Sequence, residues 1–255
     1  MGEKLGQHFL SNHTTAKRTA ELLGLTEKDI VLEIGPGKGM LTDYLLMSGA
    51  SIEAVEIDAK LHEYLQKRYR GRKAVFHNED ILKSGISRFS PTAVCGNLPY
   101  QICGKIINMV LRTEWNWQRA VFMVPAAVGE RLVAQPGDSE YSQLSVIAGI
   151  NSEARLEFYV GSDEFDPPPK IKSAVVYMKK KSSFHSPEYY KLIKGLFTSR
   201  RKKIRNNLKV FLGISSDRAE KLLSDSGISG DVRPQDISGE AYAELLKAVV
   251  NEGFL

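Results

Sequence analysis

The chain has 255 residues, of which 42% are hydrophobic and 25% charged, and its formal net charge is +5. This length can bury a substantial core, in one large domain or in one medium and one small domain. No apolar run approaches the roughly 20 residues needed to span a bilayer and no secretory signal is recognisable, so we expect a cytoplasmic protein.

The first strong pattern in the chain is a strand that runs into a glycine turn. A short β-branched run at 30–34 leads into the turn 35–39, and the residues after it continue with helical period. This arrangement is typical of nucleotide-type sites, because glycines let the backbone approach a ligand closely. Glu33, two residues before Gly35, would repel a pyrophosphate but suits a cationic amino-acid tail. The pattern therefore favours S-adenosylmethionine over a dinucleotide.

Acidic residues follow the next two predicted strands. The second strand, at 52–57, brings Glu56 to its end, where a carboxylate can accept hydrogen bonds from both hydroxyls of a ribose. The third strand, at 73–77, leads to Asp80 and Ile81, which could hold an adenine amine and flank its ring. Because the carboxyl ends of parallel strands meet at one edge, these residues are expected to share a site.

The fourth strand delivers the sequence Asn97-Leu98-Pro99-Tyr100 to the same edge. Pro99 fixes its own φ and lacks an N–H, so the turn is stiff and its carbonyls have set directions. One amide, two carbonyls and one ring could bind an amino group and stack a flat base. An ordinary Asn-x-Pro turn is the alternative, and the acids at the preceding strand ends argue against it.

The cysteines and histidines do not indicate a metal site. Cys95 and Cys103 are eight residues apart, which is neither a disulfide framework nor a metal-ligand pattern, and this agrees with a reducing cytoplasm. The five histidines show no ligand spacing either. We therefore expect no metal.

A proline-rich loop interrupts the end of the predicted sheet. Strands predicted at 155–160 and 173–179 are expected to form an antiparallel pair at the sheet's edge. Between them, three prolines make the segment 164–170 extended and stiff. A polyproline linker is one interpretation; the other, which we favour, is a rigid loop that presents Phe165 to the site.

Basic charge is concentrated in one part of the chain. The segment 179–209 holds 11 Lys or Arg against one acidic residue, whereas the remainder has 24 basic against 29 acidic residues. From residue 186 onward only helices are predicted, and we place the domain boundary at 181/182. A solvated helix face is the structural alternative, but so dense a charge favours binding of a polyanion. The candidate polyanion-binding residues here are Arg200, Arg201, Lys202, Lys203 and Arg205.

In these motifs the sequence resembles the small-subunit ribosomal RNA adenine N6,N6-dimethyltransferases, with the Erm resistance methyltransferases as near relatives. The resemblance covers nearly the whole chain, and the order and spacing of its motifs are highly specific. The matching segments are 6–10, 33–37, 56–58, 97–100, 131–134, 165–173, 200–208 and 233–238.

The resemblance implies an α/β, Rossmann-like S-adenosylmethionine-dependent methyltransferase fold with a small C-terminal all-helical domain. It implies a catalytic domain, 1–181, and a helical, basic RNA-binding domain, 182–255. The loop residue Lys170 of the catalytic domain is expected to contact the RNA as well. The residues assigned to the cofactor are Gln7, His8, Leu10, Glu33, Gly35, Gly37, Glu56, Ile57, Asp80, Ile81 and Asn97. The residues assigned to catalysis are Asn97, Leu98, Pro99, Tyr100 and Phe165.

Two positions depart from the family pattern. Family members usually carry Asn where this chain has His8, and Gln-Lys-Glu where it reads Pro125-Ala126-Ala127. The first departure affects a predicted contact with the cofactor, and the second lies beside the predicted substrate cleft. Asn97 and its neighbours match the family pattern.

The expected activity is methylation of adenine N6 in ribosomal RNA, adding two methyl groups to each of two adjacent adenosines near the 3′ end of the small-subunit RNA. Partners would be the ribosomal RNA and the small-subunit precursor during ribosome biogenesis, and we expect a monomer. Three alternatives stay open: an Erm-type enzyme acting on large-subunit RNA, an RNA-binding assembly or transcription factor without catalysis, and a nicotinamide-dependent dehydrogenase. Glu33 argues against the last.

Overall fold

The computed structural model describes residues 8–115, 117–181 and 186–255. They form two compact units: residues up to Glu130 with those from Ser152 to Lys181, and Arg131–Asn151 with the residues from Ser186 onward. The segment 131–151 belongs to the second unit, where the Tyr141 hydroxyl donates to the carbonyl of Ile237 at 3.0 Å. The division into a catalytic domain, 1–181, and an RNA-binding domain, 182–255, assigns this segment differently and stays a prediction about function.

The first unit is built on a mixed β-sheet. Seven strands lie in the order β4-β3-β2-β5-β6-β9-β7; the first five are parallel, and β9 pairs antiparallel with both β6 and β7. A separate two-stranded ribbon pairs β1 with β8. The strands are β1 (Phe9–Leu10), β2 (Ile30–Ile34), β3 (Ser51–Glu56), β4 (Ala74–Asn78), β5 (Ala93–Asn97), β6 (Arg119–Pro125), β7 (Ser152–Val160), β8 (Phe165–Asp166) and β9 (Ser173–Lys180).

The central strands are buried on both faces, which explains their continuous apolar sequences. On one face Val31, Cys95 and Val121 belong to a core shared with residues of the first three helices. On the other face Leu32 and Val94, the alternate residues, are equally buried. Helices are required on both sides of such a sheet. Those that begin in this unit are α1 (His13–Glu21), α2 (Met40–Leu46), α3 (Ala59–Arg68), α4 (Ile81–Ser84), α5 (Cys103–Leu111) and α6 (Ala126–Val133).

Polar side chains set the starts of several of these helices. The Asn12 side chain accepts hydrogen bonds from the N–H groups of Thr14 and Thr15 at the start of α1. Asp58 and Asp80 cap α3 and α4 in the same way. Capping oxygens satisfy N–H groups that have no partner within the helix, so each helix begins at a defined distance from its strand.

The second unit is helical in its described residues. Its helices are α7 (Gln143–Asn151), α8 (Pro187–Leu196), α9 (Ile204–Leu212), α10 (Ser216–Asp225) and α11 (Gly239–Asn251). Ser186 caps α8 as the Ser-Pro-Glu sequence predicts, accepting a hydrogen bond from Tyr189 N–H at 3.1 Å. Tyr189, Leu208 and Tyr242 are among its buried side chains.

The predicted pair of edge strands is confirmed, since β7 pairs antiparallel with β9 at the edge of the sheet.

The basic segment is not one continuous helix: residues 200–203 form a turn, and α9 begins only at Ile204. The Val210 side chain in α9 is 79% exposed, so it does not anchor this helix to the rest of the unit. Within the described residues, no helix combines the length and apolar character that crossing a bilayer requires.

Candidate active site

A cavity in the first unit lies at the carboxyl ends of the parallel strands β2, β3 and β5. Parallel strands place their last residues and the following loops at one edge, where ligands bind in open α/β sheets. The cavity also receives residues of the ribbon strand β1. The predicted residues that line it are His8, Leu10, Glu33, Gly35, Gly37, Glu56, Ile57, Asp80, Ile81, Asn97, Leu98, Pro99 and Tyr100; Gln7 lies outside the described residues.

The glycine turn between β2 and α2 forms a close-packed wall of the cavity. Gly37 and Gly39 have φ values of +58° and +86°, which favour glycine. A Cβ on Gly37 would lie 3.0 Å from the Phe9 ring, and one on Gly39 would lie 2.3 Å from the Tyr69 hydroxyl oxygen. The turn can therefore present its backbone, with little side-chain bulk, to a ligand.

Glu33 lies in this wall as a buried carboxyl. It is 1% exposed, and its Oε2 accepts a hydrogen bond from Oγ1 of Thr42 at 2.6 Å. Burial raises the pKa of Glu33 to about 8, although the Thr42 bond acts in the opposite direction. A cation placed next to this carboxyl would restore its ionised form.

Glu56, at the end of β3, is held by two backbone donors. Its Oε2 accepts from Gly37 N–H at 3.1 Å and its Oε1 from Asp58 N–H at 3.0 Å. Burial raises the pKa of Glu56, and these two N–H groups oppose the rise. Each oxygen retains a lone pair, so the carboxylate can accept from two neighbouring hydroxyls. Asp80 lies farther along the edge and accepts from Leu82 N–H at 3.0 Å.

The orientation of the Asn97 amide is defined by a backbone carbonyl. Nδ2 of Asn97 donates to the His8 carbonyl at 2.9 Å, so Oδ1 is the atom left without a partner among the described residues. Leu98 donates its N–H to Met123, and its carbonyl oxygen has no partner within the described chain. Pro99 differs, because its carbonyl accepts from the first N–H groups of the following helical turn. Two adjacent acceptors are thus available to an amino group.

Tyr100 and His8 form a second wall. The Tyr100 hydroxyl lies 2.6 Å from Oγ of Ser173, the buried first residue of β9. The His8 ring lies 5.5 Å from the Tyr100 ring between centroids, and its Nδ1 is 2.7 Å from the Pro167 carbonyl. His8 therefore contacts three parts of the site through its carbonyl and its ring.

Phe165 does not lie where the proline-rich loop suggested. It is 3% exposed and belongs to the hydrophobic core, because β8 pairs with β1 and sets Phe165 opposite Leu10. Its ring is not among those that line the cavity. In this structure Tyr100, which follows the Asn97 turn directly, is a lining aromatic ring that a base could use, and a stacking role for Phe165 stays a prediction that requires β8 to move.

The candidate RNA-binding residues lie in both units. Lys170 is exposed in the loop between β8 and β9. In the second unit Arg200 donates to Gln235 at 3.0 Å, Lys203 pairs with Asp231 at 2.8 Å and Arg205 pairs with Glu220 at 2.9 Å. Arg201 and Lys202 are exposed, and no ion pair joins either of them to another described residue.

Several residues of the site escaped the sequence analysis. Thr42 is the most informative: it does not line the cavity itself, but it holds the lining residue Glu33 from the first turn of α2. A hydroxyl residue in the first turn of the helix, three positions after Gly39, was a signal that could have identified it. Phe9, Glu79 and Gln101 line the cavity but carry no pattern of their own.

The charges of the residues that line the cavity indicate which cofactor it can bind. Four acids line it, Glu33, Glu56, Glu79 and Asp80, and the lining lysine, Lys38, lies 3.7 Å from Asp166. Such a lining disfavours a pyrophosphate and fits S-adenosylmethionine, which carries an ammonium and a sulfonium but no phosphate. In the described part of the chain, no group of three or more His, Cys, Asp or Glu could hold a metal ion.

Comparison with known proteins agrees with this geometry. The family model described as ribosomal RNA adenine dimethylase matches residues 2–250. Ribosomal RNA small subunit methyltransferase A of Rubrobacter xylanophilus is 35% identical over 97% of this chain and 94% of its own length. The protein of the same name from Thermotoga petrophila is 38% identical over 86% of this chain and 85% of its length.

Solved structures show the same fold. A dimethyladenosine transferase from Plasmodium falciparum matches with a TM-score of 0.86 and 24% identity, covering 96% of this chain and 98% of that one. The 23S rRNA methyltransferase ErmE matches with a TM-score of 0.71 and 24% identity, covering 95% and 99%. At these identities the likeness concerns the fold alone.

The sheet, the glycine turn and the cavity agree with the matching family model and the named relatives, which place the chain among the Rossmann-like, S-adenosylmethionine-dependent methyltransferases. Within that class, the chain belongs to the ribosomal RNA adenine dimethylase family. The two departures noted in the sequence lie at defined places: His8 bridges Asn97 and Pro167, and Pro125 ends β6 opposite Ser173.

Proposed function

We propose that this protein transfers methyl groups from S-adenosylmethionine to the N6 amine of adenine in ribosomal RNA. The target we propose is two adjacent adenosines near the 3′ end of the small-subunit RNA, each dimethylated during ribosome biogenesis. One observation carries the chemistry: the Asn97 amide is fixed by the His8 carbonyl so that Oδ1 remains as an acceptor beside the Leu98 carbonyl. The names of the Rubrobacter and Thermotoga relatives support the choice of the small subunit.

The two acceptors can make adenine N6, a weak nucleophile, more reactive. Its lone pair is delocalised into the ring, so the nitrogen is planar and reacts poorly. Hydrogen bonds from its two N–H groups to Asn97 Oδ1 and the Leu98 carbonyl draw it toward tetrahedral geometry. The lone pair would then be free to accept the methyl group that a bound cofactor would supply, and the alkylated nitrogen, now acidic, would lose one proton to water. The contribution of these residues is positioning and fixed dipoles.

Cofactor binding is assigned to the strand ends. Glu33 pairs with the ammonium group, the Gly35 and Gly37 backbone approaches the amino-acid tail, and Glu56 accepts from the ribose hydroxyls. Asp80 and Ile81 hold the adenine end, and His8 and Leu10 close the opposite side. The bound cofactor supplies an electrophilic methyl group with a good leaving group.

The base must leave its stack to reach Asn97. Tyr100 offers a ring for it, with a hydroxyl that lies 2.6 Å from Oγ of Ser173, so that the direction in which the side chain points is fixed. Stacking of a base on an aromatic ring contributes about 1–3 kcal/mol, enough to offset much of the cost of flipping. After the first transfer one N–H remains, which a second cycle can replace.

The basic residues supply affinity for the RNA backbone. Arg201 and Lys202 are exposed cations of the second unit that we assign to phosphates, with Lys170 as a contact of the first unit. A monomer acting on the small-subunit precursor in the cytoplasm is the assembly and location we propose. A non-catalytic RNA-binding role would not require Glu33, Glu56, Asp80 and Asn97 to line one cavity.

Mass-spectrometric mapping of methylated RNA tests the function directly. Unmethylated small-subunit particles, incubated with the purified protein and S-adenosylmethionine, should gain N6,N6-dimethyladenosine at two adjacent positions near the 3′ end. Large-subunit particles in a parallel reaction should gain none. Methylation confined to the large subunit would assign the enzyme to the Erm type, and methylation of neither by a protein that binds RNA would support an assembly factor.

A further inference from the structure

A buried carboxyl with one hydroxyl partner lines the cavity. Oε2 of Glu33 accepts from Oγ1 of Thr42 at 2.6 Å, and both residues are buried. Among the described residues, no lysine, arginine or histidine forms an ion pair with Glu33. A carboxylate without a cation is costly in such surroundings.

The groups that face Glu33 from the neighbouring elements add no positive charge. They are Asp43 of α2, Glu56 of β3, the Tyr69 hydroxyl after α3 and the Cys95 thiol of β5. Burial and the two acids raise the pKa of Glu33 to about 8, so at neutral pH the carboxyl is protonated when no cation lies next to it.

We propose that Thr42 is a positioning residue for Glu33, and that the Glu33 carboxyl releases its proton to solvent when it pairs with the ammonium group of the cofactor. The O–H bond of the carboxyl breaks, the proton passes to water and buffer, and the carboxylate accepts a charge-assisted hydrogen bond from the ammonium. Thr42 occupies one lone pair of Oε2, which turns the remaining lone pairs toward the cofactor. This inference rests on the proposed function, since it needs an ammonium-bearing cofactor in the cavity.

Calorimetric titration of the full-length protein with S-adenosylmethionine measures the proton directly. Buffers of different ionisation enthalpy report the number of protons exchanged, and we expect release of about one proton per cofactor at neutral pH. Between about pH 6 and about pH 7.5 the dissociation constant should fall by up to about tenfold per pH unit. Normal binding without proton release would overturn this inference alone, whereas absence of binding would overturn the proposed function as well.

Two variants show which carboxyl group releases the proton when the cofactor binds. Glu33→Gln should bind more weakly and release no proton, whereas Glu56→Gln, which alters the ribose contact, should still release it. Proton release that survives in Glu33→Gln and disappears in Glu56→Gln would show that the wrong carboxyl has been named.

Thr42→Val keeps the shape of the side chain but removes its hydroxyl. We expect binding about tenfold weaker, with its pH dependence displaced upward because the ionised carboxyl loses a donor, and Thr42→Ser should restore both. Thr92→Val is the matched control, since Thr92 donates to Asp29 at 2.7 Å at the opposite edge of the sheet. An unchanged pH dependence in Thr42→Val would refute the positioning role. If that variant is unstable, the proton count of the wild type and of Glu33→Gln still decides the role of the carboxyl.

Discussion

At the scale of single residues, the site depends on groups that are already hydrogen-bonded to other parts of the protein. Asn97 donates to His8, Tyr100 bonds to Ser173, and Glu56 accepts from two backbone N–H groups. Each of these hydrogen bonds restricts the rotation of a side chain, so that substrate binding does not have to restrict it. The geometry is therefore prepared before the base and the cofactor arrive.

Tyr100 allows the ring and the hydroxyl to be tested separately. Tyr100→Phe retains the stacking surface but loses the bond to Ser173, which contributes about 0.5–1.5 kcal/mol, so kcat/KM for RNA should fall by about tenfold or less. Tyr100→Ala also loses stacking, worth about 1–3 kcal/mol, and should fall further. Ser173→Ala is the matched control and should resemble Tyr100→Phe. Steady-state kinetics with a fixed RNA would contradict the stacking role if Tyr100→Ala and Tyr100→Phe were equally active.

At the scale of elements, the end of β2 approaches β5 closely at Gly96, the residue before Asn97. A Cβ on Gly96 would lie 2.3 Å from the Ile34 carbonyl oxygen, a distance that real structures do not contain. Gly96 thus sets the spacing between the strand that carries Asn97 and the strand that carries Glu33.

Gly96→Ala should therefore separate or distort the two strands. Overpacking of this kind typically costs about 1–3 kcal/mol of unfolding free energy, and methyl transfer should fall with it. Gly104→Ala in α5 is the matched control, because nothing lies within 4 Å of its added Cβ and alanine favours a helix by up to about 1 kcal/mol. Urea denaturation of both variants makes the comparison, and equal stabilities would refute the close approach.

The elements also show how far sequence reasoning reaches. The β2 strand, the glycine turn and the strand-end acids have local patterns, and the structure brings them to one cavity as predicted. Phe165 and the turn 200–203 were missed because distant contacts decide them. Pairing with β1 buries Phe165, and the Ile204 N–H donates to Val232 at 2.7 Å, so the helix starts later than its basic residues suggest.

At the scale of the whole molecule, the net charge of +5 conceals an uneven distribution. The charged residues that line the cavity of the first unit are mainly acids, whereas the segment 179–209 is strongly basic. Within that segment Lys203 and Arg205 pair with acids of their own unit. The cations that remain for an external polyanion are therefore fewer than the sequence count suggests.

Charge reversal of Arg201 and Lys202 together should weaken RNA binding without loss of stability. Each lost phosphate contact should reduce the slope of log affinity against log salt by about 1. Lys28→Glu with Lys67→Glu is the matched control, since both are exposed lysines of the first unit. Filter binding at several salt concentrations tests this; an unchanged slope in the Arg201 and Lys202 variant, or an equal loss in the control, would remove the turn from the RNA interface.

The most direct test of the account is the single-turnover rate of methyl transfer by Asn97→Ala at saturating RNA and cofactor. If Asn97 Oδ1 prepares adenine N6 for attack, the rate should fall by about 10²-fold or more, while the dissociation constant for S-adenosylmethionine changes far less. A rate close to that of the wild type would contradict the proposed role of Asn97, and with it the mechanism built on the two acceptors.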